Sequence, residues 1–552
     1  MQDRNSGIRR ALACCLAVLV LAVTTDLRTR VLIGISMPMD ETLWLFSLCA
    51  VFLAAVFFRR RGDLLRLDGR CLTGALAMTV STVFSFVLDS ETYGSPARKV
   101  LVTAVVFIAY TLLFNALTRL ECPPARSPQP ETAGRRLAKA CAAAAVFLLI
   151  LLRIYVSRYP YAATADCADQ WNMIHGLTPY SDIHAIGHTL FLKAVLSVWD
   201  NFTAVILVHI AGVVGLYTAL VLYLHKKGVA LPWLIFVFGL GLVWSVGGTD
   251  AVYYPWKDTP AALCLGVVTL LTARYADTDR LGVPSAALLG LALAWACLFR
   301  LNGIVAAGVS GVFFLVSFLK RRQLRQAAAL LLCAAVSVAG VRLYSEQVLH
   351  TRHLDNGFAL QALGSGIAAA VHDDEMTEEE LEAVAAVLPV DWMRETYDSP
   401  LNKRPLIWLS DGSERIAADP ALKLLNNELI LRMGENKKAV VLLYLRLFPR
   451  HAATMLRDFL GSNATVLLQK DLVFVFSHLF QAALLVLLVL CRRLRGRALM
   501  VYAPCLCNTL SIMISTVTNE ERYLLPSFLL FPFLLVYALP RREPAAAPVP
   551  AR

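Results

Sequence analysis

Between Tyr159 and Thr189, about thirty residues, the chain gathers the carboxylates of Asp166, Asp169 and Asp182, the imidazoles of His175, His184 and His188, the amide of Gln170 and several aromatics including Trp171. Carboxylates accept hydroxyl hydrogen bonds or a proton, and imidazoles carry protons or ligate metals. Beside a membrane, such a cluster is a candidate sugar, phosphate or cation site; the plainer reading is a wet polar loop. Three later segments add complementary groups. Tyr253-Tyr254-Pro255-Trp256-Lys257-Asp258 sets a cation and a carboxylate among aromatics, Arg300-Leu301-Asn302-Gly303 puts a guanidinium at a short turn, and Glu520-Glu521-Arg522-Tyr523 does the same before the last apolar run. Arginine grips phosphate bidentately and lysine acts as a point charge. Taken singly, Arg300 or Arg522 is equally well an interfacial anchor with a snorkelling stem. Their coincidence on one membrane side is the stronger argument for binding.

The elements that must position these residues are helices in a membrane. Apolar stretches fall at 10-23, 42-58, 71-88, 100-118, 139-157, 199-224, 229-248, 258-274, 284-299, 303-319, 326-345, 473-490, 498-516 and 524-539. Each is long enough, or nearly so, to cross roughly 30 Å of hydrocarbon as a helix. The chain has 552 residues, 58% of them hydrophobic, and a mean hydropathy of +0.61. Such a composition does not describe a water-soluble globule.

Basic clusters recur at every second connection: Arg9 and Arg10, Arg59 to Arg61, Arg135 with Arg136 and Lys139, Lys226 with Lys227, Arg274 and Arg280, Lys320 to Arg322, Arg492 to Arg497, and Arg541 with Arg542. Roughly fourteen spans with both termini cytoplasmic satisfy that alternation. Much of the net charge of +12 then has a topological origin, and a nucleic-acid partner is not required. The 13 cysteines lie almost entirely in spans or cytoplasmic connections, Cys167 excepted, so no disulfide framework is expected. The first apolar run, lacking a small-residue cleavage site before Asp26, reads as a span rather than a signal peptide.

Several regions can be separated. Residues 1-138 form a four-span module with a cytoplasmic connection, and 139-345 a seven-span core carrying the polar loops. Residues 346-472 form an extracytoplasmic segment without a convincing span, 473-540 a three-span return to the core, and 541-552 a disordered Ala/Pro-rich tail. The 346-472 segment is expected to fold. Thr377 and Glu380 have capping-box spacing, and Leu381, Val384 and Leu388 then recur at helical intervals up to Pro389. Further helices are expected near 420-432 and 436-448, the latter with Val440, Val441, Tyr444 and Leu447 on its apolar face.

No Walker A loop, dinucleotide-binding glycine fingerprint, zinc-protease His-Glu motif or paired CxxC occurs. His372 with the run Asp373 to Glu375 reads as a solvated charged face, and Asp277 and Asp279 fall on the cytoplasmic side, where no chemistry is assigned to them.

The order Asp166 to Trp171, then Ser181-Asp182-Ile183-His184 and His188-Thr189, resembles the first large outer loop of bacterial integral-membrane glycosyltransferases of the GT-C superfamily. Trp256-Lys257-Asp258, Arg300-Leu301-Asn302-Gly303 and Arg522-Tyr523 resemble later motifs of one bacterial family within it, and the match covers roughly residues 139-539. Cys167, in place of an expected Ser, and Ala185-Ile186, in place of a Pro-rich continuation, depart from the pattern. The resemblance implies an all-α polytopic membrane protein, a GT-C-like helical bundle with a mainly helical extracytoplasmic segment, in the bacterial cytoplasmic membrane. It implies transfer of a sugar from a polyprenyl-phosphate donor to an envelope glycan, lipid or protein acceptor, with inversion. It gives an acidic residue of that loop the part of acceptor base or acceptor orienter, so Asp166, receiving the hydroxyl proton, is the first catalytic candidate and Asp169 the local alternative. Lys257, Arg300 and Arg522 would hold the donor phosphate, while Gln170, Trp171, Asp182, His184, His188, Asp258, Asn302 and Glu520 would bind acceptor or sugar. A divalent cation, Mg or Mn, is the one cofactor the resemblance leaves room for.

Two other classes compete. A polytopic transporter or flippase of envelope lipids or polysaccharides would line a path with the same groups. A non-enzymatic scaffold would leave the acidic loop without a role. Reactive groups concentrated outside, with few ionisable residues deep in the helices, favour surface chemistry.

Overall fold

The computed structural model describes residues 68–86, scattered positions from 96 to 124, most of 132–468, 478–492, 496–515 and 521–539. The expected spans at 10-23 and 42-58, the tail and Glu520 lie outside the described residues. The chain is an all-α, multi-spanning helical bundle. Among the described residues there is no sheet, only two isolated bridges, Pro124 with Val229 and Ser181 with Arg352.

Helix α1 covers Gly69–Phe86, α2 Ala133–Val156, α3 Ala165–Ile174, α4 Ile186–Leu196, α5 Phe202–Lys226, α6 Leu231–Thr249, α7 Asp258–Thr278, α8 Val283–Phe299, α9 Gly303–Lys320 and α10 Leu324–Gln347. The 346–472 segment contributes α11 (Gln361–Asp373), α12 (Glu378–Ala385), α13 (Val390–Thr396), α14 (Arg404–Trp408), α15 (Glu414–Ala418), α16 (Glu428–Glu435) and α17 (Lys437–Leu468). The chain closes with α18 (His478–Arg492), α19 (Arg497–Met500), α20 (Ala503–Ser515) and α21 (Leu525–Ala538). The apolar stretch 498-516 is thus two helices, broken at Val501 and Tyr502.

Two compact units emerge. In one, α1 and α18 pack together: a Cβ on Gly74 would meet Leu487, and the Arg70 guanidinium donates to the Leu490 carbonyl at 3.1 Å. The other runs from Pro123 to Gln469 and resumes at Arg495–Tyr537. In it α8 lies against α10 so closely that a Cβ on Gly290 would sit 2.3 Å from the Leu330 carbonyl oxygen, an approach open only to glycine. Buried tyrosines donate to helix carbonyls, Tyr217 to Leu529 at 2.7 Å and Tyr253 to Leu151 at 3.1 Å, so their hydroxyls are not stranded in an apolar bundle.

Six helices among the described residues are long and apolar enough to cross a membrane: α2, α5, α7, α9, α10 and residues 437–463 of α17. The last lies within 346–472, the segment read from the sequence as having no convincing span. The apolar face at 436-448 continues past Pro449 to Leu468, with a break at His451. Charged groups on this helix are matched within its own segment: Arg446 to Glu379 at 2.5 Å, Arg450 to Glu380 at 2.9 Å, and the His451 ring to Asp374 at 2.7 Å. The Thr377–Glu380 capping box is present, and Val384, Leu388 and Met393 join Val440 and Leu447 in one buried core.

The large unit has two chemically distinct ends, read along α7. Its 21 residues rise about 31 Å, close to the thickness of a bilayer core. Beyond its C-terminus Asp279 pairs with Arg321 and Arg497, and near that end Asp277 pairs with Lys227 at 2.6 Å. Connections that carry basic clusters in the sequence therefore meet at one end of the bundle. At the other end of α7, Asp258 pairs with Arg300, and the polar loop is found there too.

Candidate functional site

Helix α3 is short and two-sided. Cys167, Gln170 and Met173 face inward, while Asp166 and Asp169, three residues apart, share the neighbouring face. Asp166 lies in the first turn, where the positive end of the helix dipole favours a carboxylate. The preceding Thr164 does not cap the helix with its side chain. Its hydroxyl accepts instead from the Trp256 indole at 3.0 Å, which ties the start of α3 to the turn before α7.

Three turns bring the cations: Lys257 before α7, Arg300 between α8 and α9, and Arg522 before α21. Arg522 Nη2 lies 3.5 Å from Asp166 Oδ2, and its guanidinium rests over the Trp256 ring at 4.3 Å. Arg300 lies over Tyr523 at 4.4 Å and forms a tight pair with Asp258, whose side chain is wholly buried. Asp258 Oδ2 has no hydrogen-bond partner among the described residues. Tyr254 stacks on Trp256 at 4.0 Å and completes an aromatic shelf. A guanidinium stacked by its face keeps its N–H edge available to an anion.

Electrostatics follow from this crowding. Burial pushes the Asp166 carboxyl up, but Lys257, His184 and Arg522 outweigh it and hold the group below the usual carboxylate range. Burial and the neighbouring guanidinium groups of Arg300 and Arg522 lower Lys257, against the opposing pull of Asp166 and Asp258. Lys257, Arg300 and Arg522 thus set three cations around Asp166 and Asp258, an arrangement suited to a phosphate ester.

Other sequence candidates divide between this site and its support. Asp169 Oδ2 lies 3.5 Å from His184 Nε2, beside Asp166 on α3. Gln170 is a brace: its amide donates to the Thr189 hydroxyl at 3.0 Å and its oxygen contacts His188 Nδ1 at 3.1 Å, fixing α3 against α4. His188 is fully buried, and its Nε2 has no partner among the described residues. Trp171 packs against Phe202 and His175. His175 is anchored to the Trp171 carbonyl at 2.9 Å and to Asp200 at 3.0 Å; both contacts raise its ring above the ordinary histidine value.

Asp182 is used elsewhere. It accepts from the Leu354 amide at 2.8 Å and pairs with His353 at 2.9 Å, strapping the loop to the 346–472 segment. Asn302 sits at the start of α9, where its carbonyl accepts from the Ser511 hydroxyl at 3.1 Å.

Sequence reasoning did not single out Thr164 or His353 as functional, and Thr189, Trp256 and Tyr523 were read only as parts of motifs. An aromatic adjacent to each cation was the available signal for the last two. Among the described residues no group of three or more His, Cys, Asp or Glu side chains is arranged to hold a metal. No family model matches the chain, and neither a curated protein nor a solved structure is similar to it.

Proposed function

We propose that the chain is a GT-C-like membrane glycosyltransferase, transferring a sugar from a polyprenyl phosphate to an envelope glycan, lipid or protein acceptor on the extracytoplasmic side. The observation that carries this reading is the meeting of Asp166 with Arg522, Lys257 and the aromatic shelf at the end of the bundle opposite the basic connections. By the positive-inside rule the basic end is cytoplasmic, so the site is outside.

The chemistry uses each group once. An acceptor hydroxyl attacks the anomeric carbon while its proton passes to a base of the polar loop, the bond to the phosphate oxygen breaks, and configuration inverts in one displacement. Arg522 and Lys257 offset the charge that grows on the departing phosphate, where the low local dielectric strengthens them. Arg300, fixed by Asp258 and Tyr523, holds the shelf and presents a further edge. Asp166 keeps Arg522 in place and orients the acceptor hydroxyl. The isoprenoid stays beside the spans, and no nucleotide site is needed.

Equilibrium binding of a polyprenyl phosphate to the purified full-length chain in lipid nanodiscs tests this reading. Saturable binding, weakened in Arg522→Lys, supports it. Absence of saturable binding to the unmutated chain contradicts it.

A further inference from the structure

His184 is used by no step above, yet it is held inside the site. It ends the Ser181–His184 turn before α4, with 9% of its side chain exposed. Its Nε2 faces Asp169 Oδ2 at 3.5 Å, and it interacts electrostatically with Asp166. Among the described residues no hydrogen bond is made to its Nδ1. A neutral imidazole carries one N–H and one lone pair, and a carboxylate beside one nitrogen holds the proton there. The Asp169 carboxylate at 3.5 Å therefore favours the tautomer with the proton on Nε2 and the lone pair on Nδ1.

We propose that His184 is a further catalytic residue, the proton acceptor for the attacking hydroxyl, with Asp169 as its positioning residue; this rests on the glycosyl-transfer reading. Asp166 is poorly suited to that task, being committed to Arg522 and held below the usual carboxylate range. A base far weaker than the working pH demands accepts a proton with little driving force. In the step the acceptor O–H bond breaks and its proton passes to His184 Nδ1. The oxygen's electron pair forms the bond to the anomeric carbon. The pair of the breaking carbon–oxygen bond leaves on the phosphate, beside Arg522 and Lys257. The imidazolium so formed has Asp169 and Asp166 of α3 beside it. His188 of α4 is its opposing neighbour, and Lys257 before α7 and Arg522 before α21 stand on Asp166. Release of the proton to water resets the group.

The experiment compares His184→Gln and His184→Ala with the unmutated full-length chain in nanodiscs, using polyprenyl phosphate as binding probe and a panel of labelled polyprenyl-phosphate sugars as donors. Turnover of His184→Gln is expected to fall about 10²-fold or more. Polyprenyl-phosphate binding is expected to stay within about twofold, since the lost interaction belongs to the transition state. Free imidazole should restore part of the rate to His184→Ala, which a merely structural histidine would not permit. In Asp169→Asn, histidine-label NMR should show the His184 proton moved from Nε2 to Nδ1. Undiminished turnover of His184→Gln, or a loss in His184→Ala that imidazole does not rescue, overturns the assignment of His184 while leaving glycosyl transfer standing. Failure of the unmutated chain to bind polyprenyl phosphate or transfer any sugar overturns the glycosyl-transfer reading, and the role of His184 with it.

Discussion

Asp166 and Arg522, 356 positions apart in the chain, face each other at 3.5 Å, with the guanidinium resting on Trp256. The contact joins the first turn of α3 to the turn that precedes α21, and it makes the aromatic shelf part of the same site. An arginine used only as an interfacial anchor has no need of a half-buried carboxylate partner.

Arg522→Lys keeps the charge and loses both the planar fork and the stacking on Trp256. Polyprenyl-phosphate affinity should fall about tenfold, as expected for roughly 1.4 kcal/mol of lost interaction. Isothermal titration of the variant beside the unmutated chain checks this. An unchanged affinity leaves Arg522 as an anchor.

Asp166→Asn preserves shape and removes the charge that holds Arg522 and Lys257 in their present arrangement. Turnover should drop by about 10² or more while the chain remains folded. The pH response has a definite sign. Because the folded carboxyl is held below its ordinary value, it remains ionised as pH falls through the usual carboxylate range. The stability that Asp166 contributes should therefore persist through that range and be lost only below it. Thermal denaturation of the unmutated chain beside Asp166→Asn across that range shows whether the difference between them lasts.

Gly187 sets the height of α4 over α8: a Cβ there would lie 2.6 Å from the Leu298 carbonyl oxygen. Gly187→Ala must push α4 away, at a cost of about 1–3 kcal/mol, and carry His184 and His188 with it. Thermal denaturation in nanodiscs should show the loss of stability, and donor turnover should fall with it.

In the 346–472 segment, the Thr377 backbone N–H, then the Thr377 hydroxyl, Arg450 and His451, hold Glu380 below the ordinary glutamate range, against its burial. A depressed folded value stabilises above the unfolded value and is given up as pH falls through the folded one. Amide-exchange protection in α12 should hold through the ordinary glutamate range and fall only as pH drops below it. Glu380→Gln should show fast exchange already at neutral pH and little further acid response.

The sequence made the helices legible because a membrane allows few alternatives. A span must be apolar along most of its length and satisfy its own backbone, so α2, α5, α7, α9 and α10 appear where hydropathy places them. Basic connections were legible for the same reason, and Asp277 and Asp279 now show three of them meeting. What was hidden depends on contacts between distant segments. Nothing local to Asp182 announces that it will accept from Leu354, 172 positions away. Nor does the apolar face at 436-448 show that the helix continues past Pro449, since a proline ordinarily ends one. Polarity alone did not show that Gln170 would join Thr189 and His188 and so brace α3 against α4.

Sidedness has its own test. In a cysteine-free background, Leu177→Cys and Val198→Cys, both at exposed positions of the polar end, should react with a membrane-impermeant maleimide in intact cells. Arg280→Cys should react only after permeabilisation. The reverse pattern would put the site in the cytoplasm and remove the reading built on it.

The most direct measurement is transfer itself: membranes containing the chain, a panel of labelled polyprenyl-phosphate sugars, and envelope material as acceptor, with Asp166→Asn membranes beside them. The account predicts that one donor loses its label to a lipid, glycan or protein acceptor with inversion at the anomeric carbon, and that the Asp166→Asn membranes do not support it. Movement of intact lipid-linked sugar across the bilayer, without cleavage of the sugar–phosphate bond, would contradict it and identify a transporter instead.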